Sequence, residues 1–165
     1  MKIYLVGMPG SGKSTLGIQL AQKVQVNFVD LDVEIERTEQ KLIREIFSRH
    51  GEDYFRQIES DHLKKWTRTN ASFVMATGGG APCFHDGMKI INNSGLSIFL
   101  EVPIKELLSR LRDRHDRPLL DKDPDEREKK LIEMAGKRSA CYRKAKIRLE
   151  SPTLDELLKA IRSQK

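Results

Sequence analysis

Lys13 stands where a phosphate-handling lysine would stand. It lies in Gly7–Ser14, GMPGSGKS, which fits the pattern G-x-x-x-x-G-K-[ST]. The chemistry of that spacing is specific. Glycines let the main chain fold into a nest of N–H groups aimed at phosphate oxygens, and a helix that starts there adds its positive end. Gly10, Ser11, Gly12 and Thr15 belong to this cradle. Lys13 sets an ammonium against the β/γ-phosphates, and the Ser14 hydroxyl is a candidate Mg²⁺ ligand.

Four further groups could act beside it. Asp30 and Asp32 close an apolar run; on a strand, residues two apart face the same way, so both carboxylates would project from one sheet edge. One could hold Mg²⁺ through water and the other orient or deprotonate an attacking hydroxyl; equally, they are solvated acids that cap the next helix. Arg56 and Glu59, three apart on a helix, are either a surface ion pair or an arginine that forks onto a substrate carboxylate with Glu59 fixing its rotamer. Thr77-Gly78-Gly79-Gly80 is either a flexible turn or a wall stripped of side chains, where a ligand reaches main-chain N–H donors. Arg138 and Tyr142 share one face of a late helix. The four histidines show no metal-ligand spacing.

The elements that must position these groups are legible. Strands are expected at Ile3–Val6, Asn27–Leu31, Ser72–Ala76, Ser97–Glu101 and Ile147–Leu149. Most are apolar throughout, as strands covered on both faces are. Helical patterns lie between them, including Glu52–Thr69 and Ile104–Arg112, and Thr153 with Glu156 forms a capping-box pair before Leu154, Leu157, Leu158 and Ile161. The alternation predicts an α/β fold with a mostly parallel sheet, and phosphate binding at the carboxyl end of the first strand agrees with it. The stretch 112–124 is charged, holds two prolines, and carries Arg117 beside Leu119 and Leu120. It is expected to be a lid that excludes water during transfer.

The chain of 165 residues suits a single domain. Its charge of +6 could serve nucleic acid, a membrane surface or small anions. The basic residues are dispersed and no RNA-binding aromatic signature is present, so neither nucleic acid nor membrane is the expected partner. No apolar run is long enough to span a bilayer, and Met1 leads straight into a strand, so no cleavable targeting segment is expected. Cys83 and Cys141 are far apart in sequence and form no C-x-x-C, which suits a reducing, cytoplasmic setting.

Taken in order along the chain, these motifs resemble the shikimate kinases, small P-loop kinases of aromatic amino acid biosynthesis. The resemblance runs through the P-loop, the D-x-D at Asp30–Asp32, and G-E-x-x-F-R-x-x-E at Gly51–Glu59. It continues through T-G-G-G at Thr77–Gly80, R-P-L-L at Arg117–Leu120 and R-x-x-x-Y at Arg138–Tyr142. One departure is mild: after the glycines stands Ala81-Pro82-Cys83, where the family more often has an aliphatic residue near the third position.

The resemblance implies Mg²⁺-dependent transfer of phosphate from ATP to the 3-hydroxyl of shikimate. It implies a three-layer, adenylate-kinase-type P-loop core whose five parallel strands are ordered 2-3-1-4-5, with a shikimate-binding helical segment near 33–60 and a lid near 112–124. By its motifs, Asp32 is the candidate base, and Arg56, Gly78, Gly79, Gly80 and Arg138 hold shikimate. Arg117 meets phosphate from the lid, Arg110 lies against adenine, Ser14 ligates Mg²⁺ directly, and Asp30 does so through water. ATP and shikimate are the expected partners of a monomer. The alternatives are a related kinase of gluconate type and a nucleotide-binding regulator without chemistry. A regulator would be expected to lack Lys13, Asp32 or Arg117, and all three are present.

Overall fold

Ile3, Leu5, Tyr4 and Val6 are all excluded from water, so β1 (Lys2–Val6) must lie inside a sheet covered on both sides. It pairs in parallel with β3 (Phe73–Ala76) on one side and β4 (Leu96–Glu101) on the other. β2 (Asn27–Asp30) and β5 (Ile147–Glu150) form the edges, giving the order β2-β3-β1-β4-β5. This is the expected parallel sheet in the expected order. The computed structural model describes residues 1–111 and 123–164.

Side-chain alternation along the strands divides the core in two. Ile3, Leu5, Val74, Ile98 and Leu100 face α1 (Lys13–Lys23) and α7 (Leu154–Arg162) through Leu20, Ala21, Leu157 and Ile161. Tyr4, Val6, Phe73, Met75 and Phe99 face the other layer. That layer comprises α2 (Leu31–Glu39), α3 (Ile43–Thr67), α4 (Gly87–Ser94), α5 (Ile104–Leu111) and α6 (Pro124–Tyr142). Among the described residues no helix is long and apolar enough to cross a membrane.

Three details correct the expectations. β2 stops at Asp30, whose carboxylate accepts the Asp32 N–H at 3.1 Å and caps α2. Asp32 therefore belongs to the first turn of a helix and not to the strand. Its carboxylate still stands at the sheet edge because the helix begins there. Second, the pattern expected from Glu52 begins earlier, at Ile43, and Gly51 (φ 83°, ψ 176°) breaks the run. Third, the helix between the third and fourth strands, expected only from the alternation and without bounds, is α4, which follows the glycine wall. The Thr153–Glu156 capping box forms as expected.

Candidate active site

The loop after β1 wraps the head of α1. Gly12 caps that helix at φ 93°, a left-handed conformation that would strain a side chain, and the Leu16 N–H closes onto its carbonyl at 2.9 Å. Lys13 is buried, with Nζ 2.9 Å from both the Gly7 and Met8 carbonyls, so it ties the loop together as well as charging it. Ser11 is buried, its main-chain N–H donates to the Met8 carbonyl, and its hydroxyl is excluded from water. A cavity of about 380 Å³ opens over Gly10, Gly12, Lys13, Ser14, Thr15, Leu16, Arg110 and Pro152. Arg110 donates to the Gly10 carbonyl at 3.3 Å and pairs with Glu106. Pro152 escaped sequence reasoning, because nothing in its neighbours marks it as a wall of this cavity.

At the head of α1 the Ser14 hydroxyl donates to Asp30 Oδ2 at 2.7 Å. A hydroxyl and a carboxylate side by side, neither fully buried, are hard oxygen donors of the kind Mg²⁺ takes. Among the described residues no cluster of three His, Cys, Asp or Glu could hold a metal. The donor set fits a cation that keeps waters and phosphate oxygens for most of its shell.

The second half of the site is built around the glycine wall. Asp32 and Glu59 converge on Gly78: a Cβ placed there would lie 2.5 Å from Glu59 Oε1 and 2.8 Å from Asp32 Oδ1. A Cβ at Gly80 would overlap the Arg56 guanidinium, and one at Gly79 would lie 3.1 Å from Arg138 Nη1. The absence of side chains at all three positions thus lets two carboxylates and two arginines meet over one patch of main chain. Tyr142 holds that patch from below, its hydroxyl donating to the Gly79 carbonyl at 2.5 Å.

Arg56 and Arg138 are both buried. Arg56 Nη1 donates to Glu59 Oε2 at 2.8 Å, while its Nε and Nη2 face a single oxygen of the half-exposed Glu52 at 3.2 and 3.1 Å. Phe84, Phe55 and Phe47 surround the guanidinium, with its Cζ 4.5, 5.3 and 6.0 Å from their ring centroids. Burial opposes the Arg56 charge, but Glu59 and Glu52 more than offset it and its pKa rises. Burial pushes the Glu59 carboxyl up to about 7 against the pull of Arg56, and the nearby Asp32 charge pushes the same way. The Arg56–Glu59 pair is therefore internal and not a surface ion pair. The spacing of Glu52, four before Arg56, was the available signal for that contact; Phe84 offered none.

The structure thus brings Lys13, Ser14, Asp30, Asp32, Arg56, Gly78–Gly80 and Arg138 to the carboxyl edge of the sheet, with Gly10, Gly12, Thr15 and Arg110 around the cavity beside it. Of the expected lid, 112–124, residues 112–122, Arg117 among them, lie outside the described residues, and Asp123 and Pro124 belong to the start of α6.

A family model described as shikimate kinase matches residues 9–161. The chain is 41% identical to a shikimate kinase of Bacteroides fragilis over 147 residues, 88% of this chain and 82% of that protein. It is 39% identical to one of Clostridium botulinum over 166 residues, 99% of this chain and 95% of that one. Its fold superposes with a TM-score of 0.91 on shikimate kinase from Acinetobacter baumannii in complex with shikimate, at 34% identity, covering 99% and 94% of the two chains.

Proposed function

The chain belongs to the shikimate kinase family, and on that premise we propose that it transfers the γ-phosphoryl group of ATP to the 3-hydroxyl of shikimate. The observation that carries this reading is the pairing of two half-sites on one sheet edge. A phosphate cradle at Gly10–Thr15 stands beside a pocket in which two arginines and two carboxylates meet over bare main chain. Phosphoryl transfer asks little covalent chemistry of a protein; it asks for in-line positioning and positive charge around the transferring oxygens.

The residues divide that work. The main chain of Gly10–Thr15 and the Lys13 ammonium hold the nucleotide phosphates. Arg110 and Pro152 flank the adenosine side of the cavity. Arg56 and Arg138 clamp the shikimate carboxylate, which takes over the edge of Arg56 now facing Glu52, while Glu59 keeps the buried edge in place. Asp32 accepts from the substrate hydroxyls and draws the proton from the attacking one. Arg117, from the R-P-L-L motif, supplies a further cation to the transferring group. Ser14 and Asp30 would hold Mg²⁺, which when bound offsets the negative charge of the phosphate oxygens.

A coupled ADP-release assay with shikimate, quinate and gluconate in parallel tests the reading. ADP release should depend on shikimate and should be much weaker with gluconate. Release no greater with shikimate than without it would overturn the assignment.

A further inference from the structure

The two edges of the Arg56 guanidinium are held very differently. On the inner edge Nη1 donates to Glu59 Oε2 at 2.8 Å, and the two side chains are only 5% and 2% exposed. On the outer edge Nε and Nη2 form the fork that matches the two oxygens of a carboxylate. Glu52 meets that fork with one oxygen: Oε1 accepts from Nε at 3.2 Å and from Nη2 at 3.1 Å. Both contacts are longer than the roughly 2.7–2.9 Å of a good charge-assisted bond. The Glu52 side chain also keeps 48% of its surface in water. The break at Gly51 puts Glu52 in the first turn of the second half of α3, four residues before Arg56 and on its face of the helix.

We propose that Glu52 is a built-in competitor of the substrate. Its carboxylate pairs with the outer edge of Arg56 when no substrate is bound, and the carboxylate of the hydroxy-acid substrate must displace it toward solvent to fork onto Nε and Nη2. This rests on the kinase reading above. The exchange swaps one carboxylate for another, and two features drive it forward. The incoming carboxylate offers an oxygen to each N–H group where Glu52 offers one to both, and it gains Arg138, whose Nη1 stands over Gly79 in the same pocket. Glu52 gives up little, because its side chain is already half in water.

Arg56 does not need Glu52 to stay in place. Glu59 fixes its inner edge, Phe84, Phe55 and Phe47 surround its Cζ, and its guanidinium fills the space over Gly80. What Glu52 supplies is an acceptor for two N–H groups that burial would otherwise leave unpaired. Net affinity is then the difference between two pairings, so Glu52 lowers it. It also makes the pocket selective for acids: an uncharged ligand that pushed Glu52 aside would leave the buried fork without a counter-charge.

The test is a calorimetric titration of the full chain with shikimate, paired with kinetics. Glu52→Gln keeps the size of the side chain and removes its charge; it should bind shikimate about threefold to tenfold more tightly, with the KM for shikimate falling in step and ATP affinity within about twofold. Glu52→Asp keeps the charge but shortens the reach by one carbon, and should shift shikimate affinity in the same direction. Asp53→Asn removes a charge from the exposed next residue and should leave shikimate affinity within about twofold, which separates the loss of a contact from a general rise in positive field. Tighter binding in neither Glu52 variant overturns the proposal and makes Glu52 a positioning partner of Arg56. Equal tightening in Asp53→Asn also overturns it. An unsubstituted chain that neither binds shikimate nor turns it over would overturn the kinase reading, and this inference with it.

Discussion

Asp32, Arg138 and Glu59 stand within one pocket but should fail in different ways. Asp32→Asn keeps the shape and the main-chain cap on Asp30 but cannot take a proton. Turnover should fall by about 10²–10⁴-fold with little change in melting temperature, read from paired kinetics and thermal melts. Arg138→Ala removes one charge-assisted contact and should weaken shikimate binding by about 1.5–3 kcal/mol, with ATP affinity nearly unchanged in calorimetric titrations. An equal loss for ATP would assign that arginine to the other ligand. Glu59 gives a pH signature. In the folded chain its carboxyl keeps its proton up to about 7, against an ordinary 4.5. Between those values the folded state binds more protons than the unfolded one, so this group makes the protein lose stability as pH rises from about 4.5 to about 7, with no further change above. Melts of Glu59→Gln across that window should lack this component of the slope.

At the scale of elements, the break at Gly51 separates the half of α3 that carries Phe47 from the half that carries Arg56 and Glu59, and it sets how the second half meets the wall. A side chain there meets no atom within 4 Å, so Gly51→Ala is a test of backbone strain alone. The conformation is one that only glycine adopts easily, and the substitution should cost about 1–3 kcal/mol, read as a lower urea midpoint. An unchanged midpoint would mean that the break moves without cost. The ends of α5 and α6 illustrate a different kind of coupling: buried Arg127 donates to the Leu111 carbonyl at 3.0 Å, holding one helix end against the next element. No sequence pattern announces that contact, since residue 111 terminates one helix and residue 127 sits in the first turns of another.

For the molecule as a whole, the sheet order places the cradle after the central strand β1 and Asp32 after the edge strand β2, with β3 and its glycine wall between them. Substrate bound across that arrangement should stabilise the fold through mass action. Shikimate at about a hundred times its dissociation constant should add about 2.7 kcal/mol, a rise of about 5–10 °C in melting temperature for a chain of this size. Arg138→Ala should shift the concentration needed for that rise upward. No rise at saturating shikimate would count against the acid pocket over Gly78–Gly80.

The sequence by itself determined the cradle, the parallel α/β architecture and the identity of the charged groups. These depend on local rules: the P-loop spacing, apolar strands, and the Thr153–Glu156 cap act over a few residues. The ordered motifs also pointed to strand order and family, which the sheet and the comparisons bear out. Tertiary structure alone decided how the charges meet. Asp32 left the strand because the Asp30 carboxylate captured its N–H and began a helix one residue early. Glu59 acquired a near-neutral pKa because burial outweighs its arginine partner. The cap is a local choice between two readings of Asp30 and Asp32, but the burial of Glu59 depends on groups far apart in the chain, such as Gly78 and Asp32, and on how much water the fold leaves between them, which no spacing along a sequence encodes.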